Sequence, residues 1–167
     1  PIKSIQISCL PVVNDYAFDG NGQKIMLKQF IASGGEGDIY YTDTEFVAKI
    51  YKKHKNNTWK FEKIRLMLSK NIEYLGICYP KSILYNYKHE FIGYLMPKAN
   101  GKELRTSLFI KPLFLKNFPN WTKRETVQLS VTILEKIKYL HDRNVVIGDI
   151  NPSNILVVSP TEVYFVD

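Results

Sequence analysis

The stretch Gly148–Val157, GDINPSNILV, constrains this chain more than any other. It has an aspartate in a loop, an asparagine five positions later and a short apolar run, and Asp167 closes the next apolar run, Val163–Val166. That order puts three oxygen-bearing side chains where two loops converge, a constellation suited to holding a divalent cation against phosphate oxygens. A long amphipathic helix is expected before it. Between Thr122 and Leu140, apolar residues recur at Val127, Leu129, Val131, Ile133, Leu134, Ile137 and Leu140, close to a 3.6-residue period. Val145–Asp149, Ile155–Val158 and Val163–Val166 read as short strands.

The first hundred residues have a different texture. Lys24–Ile31 and Asp38–Tyr41 read as strands around the turn SGGEG, and Glu45–Tyr51 as a third, forming an antiparallel meander. Asn57 and Thr58 offer caps for a helix over Trp59–Ser69. Ser82–Tyr85 and Phe91–Leu95 flank the polar NYKHE as a hairpin, after which Met96, Pro97 and Lys98 break the pattern. Residues 3 to 13 suggest a strand or an ordered leader.

Three features here could carry chemistry. In Ala32–Ile39, Gly34 and Gly37 would let the backbone approach a phosphate with no Cβ in the way, although a glycine pair between strands is more often a plain hairpin turn. Lys49 ends an apolar strand, where a buried ammonium needs an anion; an edge lysine facing solvent is the alternative, and alternation does not separate the two. Glu62, flanked by Phe61 and Ile64, could face the sheet or be an ordinary surface glutamate.

Composition sets the bounds. With 167 residues, 45% of them hydrophobic and 13% aromatic, the chain can bury a core and does not read as disordered. A net charge of +7 suits an anionic partner without choosing one, and the basic cluster Lys49–Lys63 reads as a solvated loop leading into a helix. Cys9 and Cys78 lack metal or disulfide spacing, and no apolar run is long enough to span a bilayer, so a cytoplasmic setting without membrane contact is expected. Starting at Pro1 and stopping at Asp167 directly after an apolar run, the sequence is expected to be a piece of something longer.

Taken in order, these motifs resemble the protein kinases. Ala32-x-Gly34-x-x-Gly37-x-Ile39 resembles their glycine-rich loop, and Val47-Ala48-Lys49 the strand with the phosphate lysine. Asp149-Ile150-Asn151-Pro152-Ser153-Asn154 resembles the catalytic loop, and Asp167 falls where the Asp of D-F-G belongs. The G-D-I-N-P-S-N form looks most like that of bacterial kinase-like proteins. The implied fold is α+β and bilobal: a leader or extra strand over 1–23, an antiparallel-sheet N-lobe with one helix over 24–97, and the hinge with the start of a mainly helical C-lobe over 98–167.

The resemblance also implies roles. Lys49 would hold ATP phosphates and pair with Glu62; Asp149 would receive or orient the acceptor hydroxyl's proton; Asn154 and Asp167 would bind Mg2+. Ile39, Ala48 and Leu156 match positions around adenine, Met96 the gatekeeper, and Pro97 to Ala99 the hinge. The expected partners are ATP and a protein Ser/Thr substrate. Two departures stand out: Ile147-Gly148 replaces the usual His-Arg, and Asn151 replaces a lysine, though it still offers hydrogen-bond donors. They leave open a pseudokinase or nucleotide-binding regulatory module, and a small-molecule kinase of the same fold is a further alternative. A nucleic-acid role rests on basic charge alone and ranks last. With the lower lobe absent from the sequence, the helix at 122 to 140 is expected to show an apolar face without partners.

Overall fold

The computed structural model of the chain describes residues 2–166; Asp167 lies outside the described residues. Two compact units make up the chain. The first holds the chain up to Asn71 together with Tyr79–Lys98, and the second holds Ile72–Cys78 and the chain from Ala99 onward.

The first unit is built on β1 (Tyr16–Asp19), β2 (Lys24–Ser33), β3 (Gly37–Thr42), β4 (Phe46–Tyr51), β5 (Ser82–Tyr85) and β6 (Phe91–Pro97), with α1 (Thr58–Ser69) between β4 and β5. The strands close into a barrel in the order β1-β2-β3-β4-β6-β5. Closure depends on β1, which pairs with both β2 and β5 and so leaves no open edge. The meander expected from sequence holds through β4, but β6 then lies between β4 and β5. Of the two alternatives for residues 3 to 13, a strand or an ordered leader, no strand forms there: the segment bridges Ser4 to Asn57 and packs Ile7 into the core, and the strand lies further on, at Tyr16–Asp19.

Alternation along these strands sends Ala17, Ile25, Leu27, Ala48, Ile50, Leu84 and Leu95 into one core. Each fully buried Leu or Ile there contributes about 1.5–3 kcal/mol. Asn57 caps α1 by accepting a hydrogen bond from the Lys60 amide at 2.9 Å.

In the second unit, β7 (Lys102–Glu103), β8 (Ile155–Ser159) and β9 (Glu162–Phe165) form a small antiparallel sheet, with α2 (Leu104–Leu108), α3 (Lys111–Asn117) and α4 (Lys123–His141). Leu129 of α4 joins Leu104, Ile155, Val157, Val163 and Phe165 in its core. The apolar stripe read from sequence divides on α4: Leu129 and Leu140 are buried and Ile133 and Ile137 pack against the core, while Val127 and Leu134 are 64% and 63% exposed. A capping box starts the helix, with Thr122 and Glu125 exchanging hydrogen bonds. It ends where Asn144 takes the left-handed conformation at φ 56° and the Val145 amide bonds back to the Leu140 carbonyl at 2.9 Å. The strand expected over Val145–Asp149 does not form; that segment is irregular chain leading out of the helix. Among the described residues, no helix is long and apolar enough to cross a membrane.

Candidate active site

In the first unit, strand register decides which side chains share a face, because residues directly opposite one another in an antiparallel pair point the same way. Lys49 lies opposite Ile39 of β3 and Tyr94 of β6, and Val47 lies opposite Tyr41 and Met96. Ile39, Val47, Lys49 and Met96 therefore share one face of the barrel wall, the face turned away from the core. Lys49 is only 6% exposed, and its Nζ lies 6.0 Å from the centroid of the Tyr94 ring. Met96 and Val47 are buried too, and Pro97 ends β6 opposite Phe46.

The glycine-rich turn joins β2 to β3. Ala32 is the cross-strand partner of Ile39, and the Gly34 amide bonds to the Gly37 carbonyl at 2.8 Å. The three glycines are there for different reasons. A Cβ on Gly37 would lie 2.5 Å from the Ile50 carbonyl oxygen, so the barrel itself demands glycine there. On Gly34 a Cβ would meet only the Gly37 oxygen, at an ordinary 3.6 Å, and on Gly35 it would meet nothing within 4 Å. Neither has a positive φ. Nothing among the described residues requires glycine at these two positions.

In the second unit, the loop before β8 is held by its own backbone. Asn151 Oδ1 accepts from the Ser153 amide at 2.9 Å, the Asn154 amide donates to the Asn151 carbonyl at 2.9 Å, and the Pro152 carbonyl accepts from the Arg105 amide at 3.1 Å. The Asn154 carbonyl in turn accepts from Val166 at 3.0 Å, tying the loop to the end of β9. Asn154 Nδ2 donates to Asp149 Oδ2 at 3.2 Å, and this fixes the amide orientation, since an amide oxygen facing the carboxylate would be repelled. Asp149 is exposed. Leu156 lies opposite Tyr164 and Glu103, on the face away from the core that Ile155 and Val157 enter.

A solved structure described as that of vaccinia related kinase 3 matches 96% of this chain with a TM-score of 0.61 at 18% identity. The chain has a protein-kinase-like fold. It spans 52% of that kinase chain, about half its length. No family model matches the sequence.

Within the kinase-like fold, two residues proposed from sequence lie elsewhere than expected. Ala48 does not share a face with Lys49: it is fully buried in the barrel core with Ile25, Leu84 and Leu95. Adjacent residues on a strand point to opposite faces, and Val47, two positions before Lys49, holds the place on the outer face. Glu62 is also displaced. Its side chain is 63% exposed and accepts from Arg65 Nη1 at 3.1 and 3.2 Å. The buried positions of α1 are Lys60 and Ile64, four residues apart on one helix face, and Glu62 falls on the other side. The basic cluster is likewise not all solvated, since Lys49 and Lys60 are buried whereas Lys53 and Lys55 are exposed.

Ala99 opens the second unit directly after Lys98. Among the described residues, no three of His, Cys, Asp and Glu gather to hold a metal ion. The residue that would join Asp149 and Asn154 in such a role is Asp167, outside the described residues. Lys60 was missed by sequence reasoning, and a lysine three residues after a capping asparagine carried no signal that would have found it.

Proposed function

We propose that this chain is the nucleotide-handling part of a phosphotransferase of protein kinase type, which uses ATP and Mg2+ to phosphorylate a protein Ser/Thr hydroxyl. The observation that supports it most is the face shared by the buried Lys49 with Ile39, Val47 and Met96, in a barrel whose turn carries two glycines that no protein atom requires. A flat apolar base would rest on Ile39, Val47 and Met96, and Pro97 at the end of β6 keeps a backbone carbonyl to offer it. The amides at Gly35 and Gly37 and the Lys49 ammonium would meet phosphate oxygens, the Gly34 amide being engaged by the Gly37 carbonyl.

The chemistry asked of Asp149 is to take the proton of the acceptor hydroxyl as its oxygen bonds to the terminal phosphorus and the bond to the leaving diphosphate breaks. Asn154 holds Asp149 in place through Nδ2, and with Asp167 it would supply oxygens to Mg2+. When bound, the cation neutralises charge on the phosphates. Asn151 stands where a lysine is usual. Its oxygen is committed to the Ser153 amide, so only its NH2 group could serve a transferring phosphoryl group.

That substitution, together with Ile147-Gly148, supports a second reading as a pseudokinase that binds nucleotide without efficient transfer. Phosphate transfer from labelled ATP, assayed with the full-length parent protein, a generic Ser/Thr substrate and amino alcohol acceptors, separates the readings. Transfer to protein that is lost in Asp149→Ala is the expected result. Nucleotide binding lost in Lys49→Ala, with no transfer to any acceptor, would establish the pseudokinase instead.

A further inference from the structure

Lys60 is buried on the sheet-facing side of α1, its side chain 10% exposed, and its Nζ lies 2.8 Å from Glu36 Oε1. Glu36 sits in the middle of the glycine-rich turn. The same ammonium lies 4.7 Å from the centroid of the Tyr51 ring at the end of β4. A buried lysine is costly unless its charge is met, and a methionine would fill the same space more cheaply. The charge must therefore be serving its carboxylate partner Glu36, which belongs to the turn.

The rest of the turn is tied to the same region. Lys52 Nζ donates to the Gly34 carbonyl at 2.7 Å, and the Lys52 amide to the Glu36 carbonyl at 3.0 Å. Gly37 packs directly on the Ile50 carbonyl. Of these ties, only the ion pair reaches α1.

We propose that Lys60 is a positioning residue for the glycine-rich turn, acting through Glu36 as a latch between α1 and the turn. The helix residue that governs the turn is thus a cation paired with an acid in the turn, not an acid paired with Lys49. Extending the latch to nucleotide affinity rests on the phosphate reading of the turn given above; the latch itself does not.

Hydrogen exchange at the Gly34 and Lys52 amides, measured in the full chain without ligand, reads the latch directly. Lys60→Met and Glu36→Gln should each speed exchange roughly fivefold, the scale of a partly exposed ion pair. The double variant should be no faster than either single variant, because both remove the same interaction. Lys60→Arg should restore protection. Unchanged exchange in both single variants, or effects that simply add, would overturn the proposal. Should Lys60→Met lose helix by circular dichroism, Glu36→Gln decides alone, since the Glu36 side chain is 53% exposed and supports no core.

Affinity for a fluorescent ATP analogue should fall in Lys60→Met and recover in Lys60→Arg. A wild-type chain that binds no analogue, yet shows the exchange pattern, would keep the latch and refute the phosphate reading. Analogue binding that is intact while the exchange pattern is absent would refute the latch and keep the phosphate reading.

Discussion

Gly93→Ala tests whether the barrel wall fixes the position of Lys49. Gly93 sits on β6 opposite Ile50 of β4 and Leu84 of β5. A Cβ there would lie 1.9 Å from the Lys49 carbonyl oxygen, 2.9 Å from its carbon and 3.1 Å from the Ile50 Cα, so every obstacle is backbone and no side chain can swing away. Restoring an ordinary 3.4 Å contact requires β4 and β6 to part by about 1.5 Å locally. That takes the neighbouring ladder bonds from about 2.9 Å to beyond the range of a hydrogen bond. Two lost bonds cost about 1 kcal/mol each, and the strain of overpacking adds roughly 1–3 kcal/mol. The expected loss is about 3–5 kcal/mol, or a melting point lower by about 10 °C for a chain of this size. Urea unfolding followed by Trp59 fluorescence in a Trp121→Phe background reads the first unit by itself. Gly35→Ala is the control: its Cβ meets nothing within 4 Å, so it should unfold within about 0.5 kcal/mol of wild type. A Gly93→Ala variant that unfolds at the wild-type midpoint would refute the steric reasoning and, with it, the claim that this wall holds Lys49 in place.

Two further expectations concern single groups. The Thr122 hydroxyl and backbone amide hold the Glu125 carboxyl below its usual 4.5, so Glu125 adds stability above the ordinary carboxylate range and loses it as pH falls through the lowered value. Exchange at the first amides of α4 should quicken between about pH 6 and about pH 3 beyond the intrinsic pH effect, and not in Glu125→Gln; Thr122→Ala should cost about 1 kcal/mol of stability at neutral pH. Burial pushes the Cys78 thiol up to about 12, so iodoacetamide at about pH 8 should leave it unmodified in the folded chain and label it only in denaturant. Mass spectrometry showing equal labelling in both states would contradict this.

The parts of the fold that could be read in the sequence are those whose period is set within a single element. α1, α4, β5 and β8 fall within a residue or two of where spacing, caps and β-branched runs put them. Closure of the barrel could not be read, because it depends on the four residues of β1 meeting β5 more than sixty positions later, and YAFD carries no mark of that partner. The strand at Val145–Asp149 was a false signal of another kind. Its apolar residues are real, but Asn144 has just ended a helix with a left-handed turn, and the backbone that follows finds no sheet partner.

The candidate site was legible as a set of residue types and less so as a set of directions. Lys49, Gly34, Asp149 and Asn154 could be chosen because each chemical task admits few side chains. Which neighbours they face depends on parity along a strand and angle around a helix, and a motif match overrides both. The match assigned Ala48 to adenine by its resemblance to a small residue before a lysine, yet one position along a strand reverses the face, and Ala48 went into the core. It assigned Glu62 to Lys49 because Leu66 follows it at helical spacing, yet two positions along a helix turn a residue about 200°. Lys60 shows what the same geometry offers in exchange: two positions before Glu62, it occupies the buried face of α1 and meets the one acidic residue of the turn. If the turn binds phosphate, Glu36 beside it would repel that phosphate unless its charge were already engaged, and a buried Lys60 engages it. On that reading the pair makes an acidic residue tolerable in a turn proposed to receive an anion, and Glu36→Gln should weaken the turn's order without weakening its intrinsic attraction for phosphate.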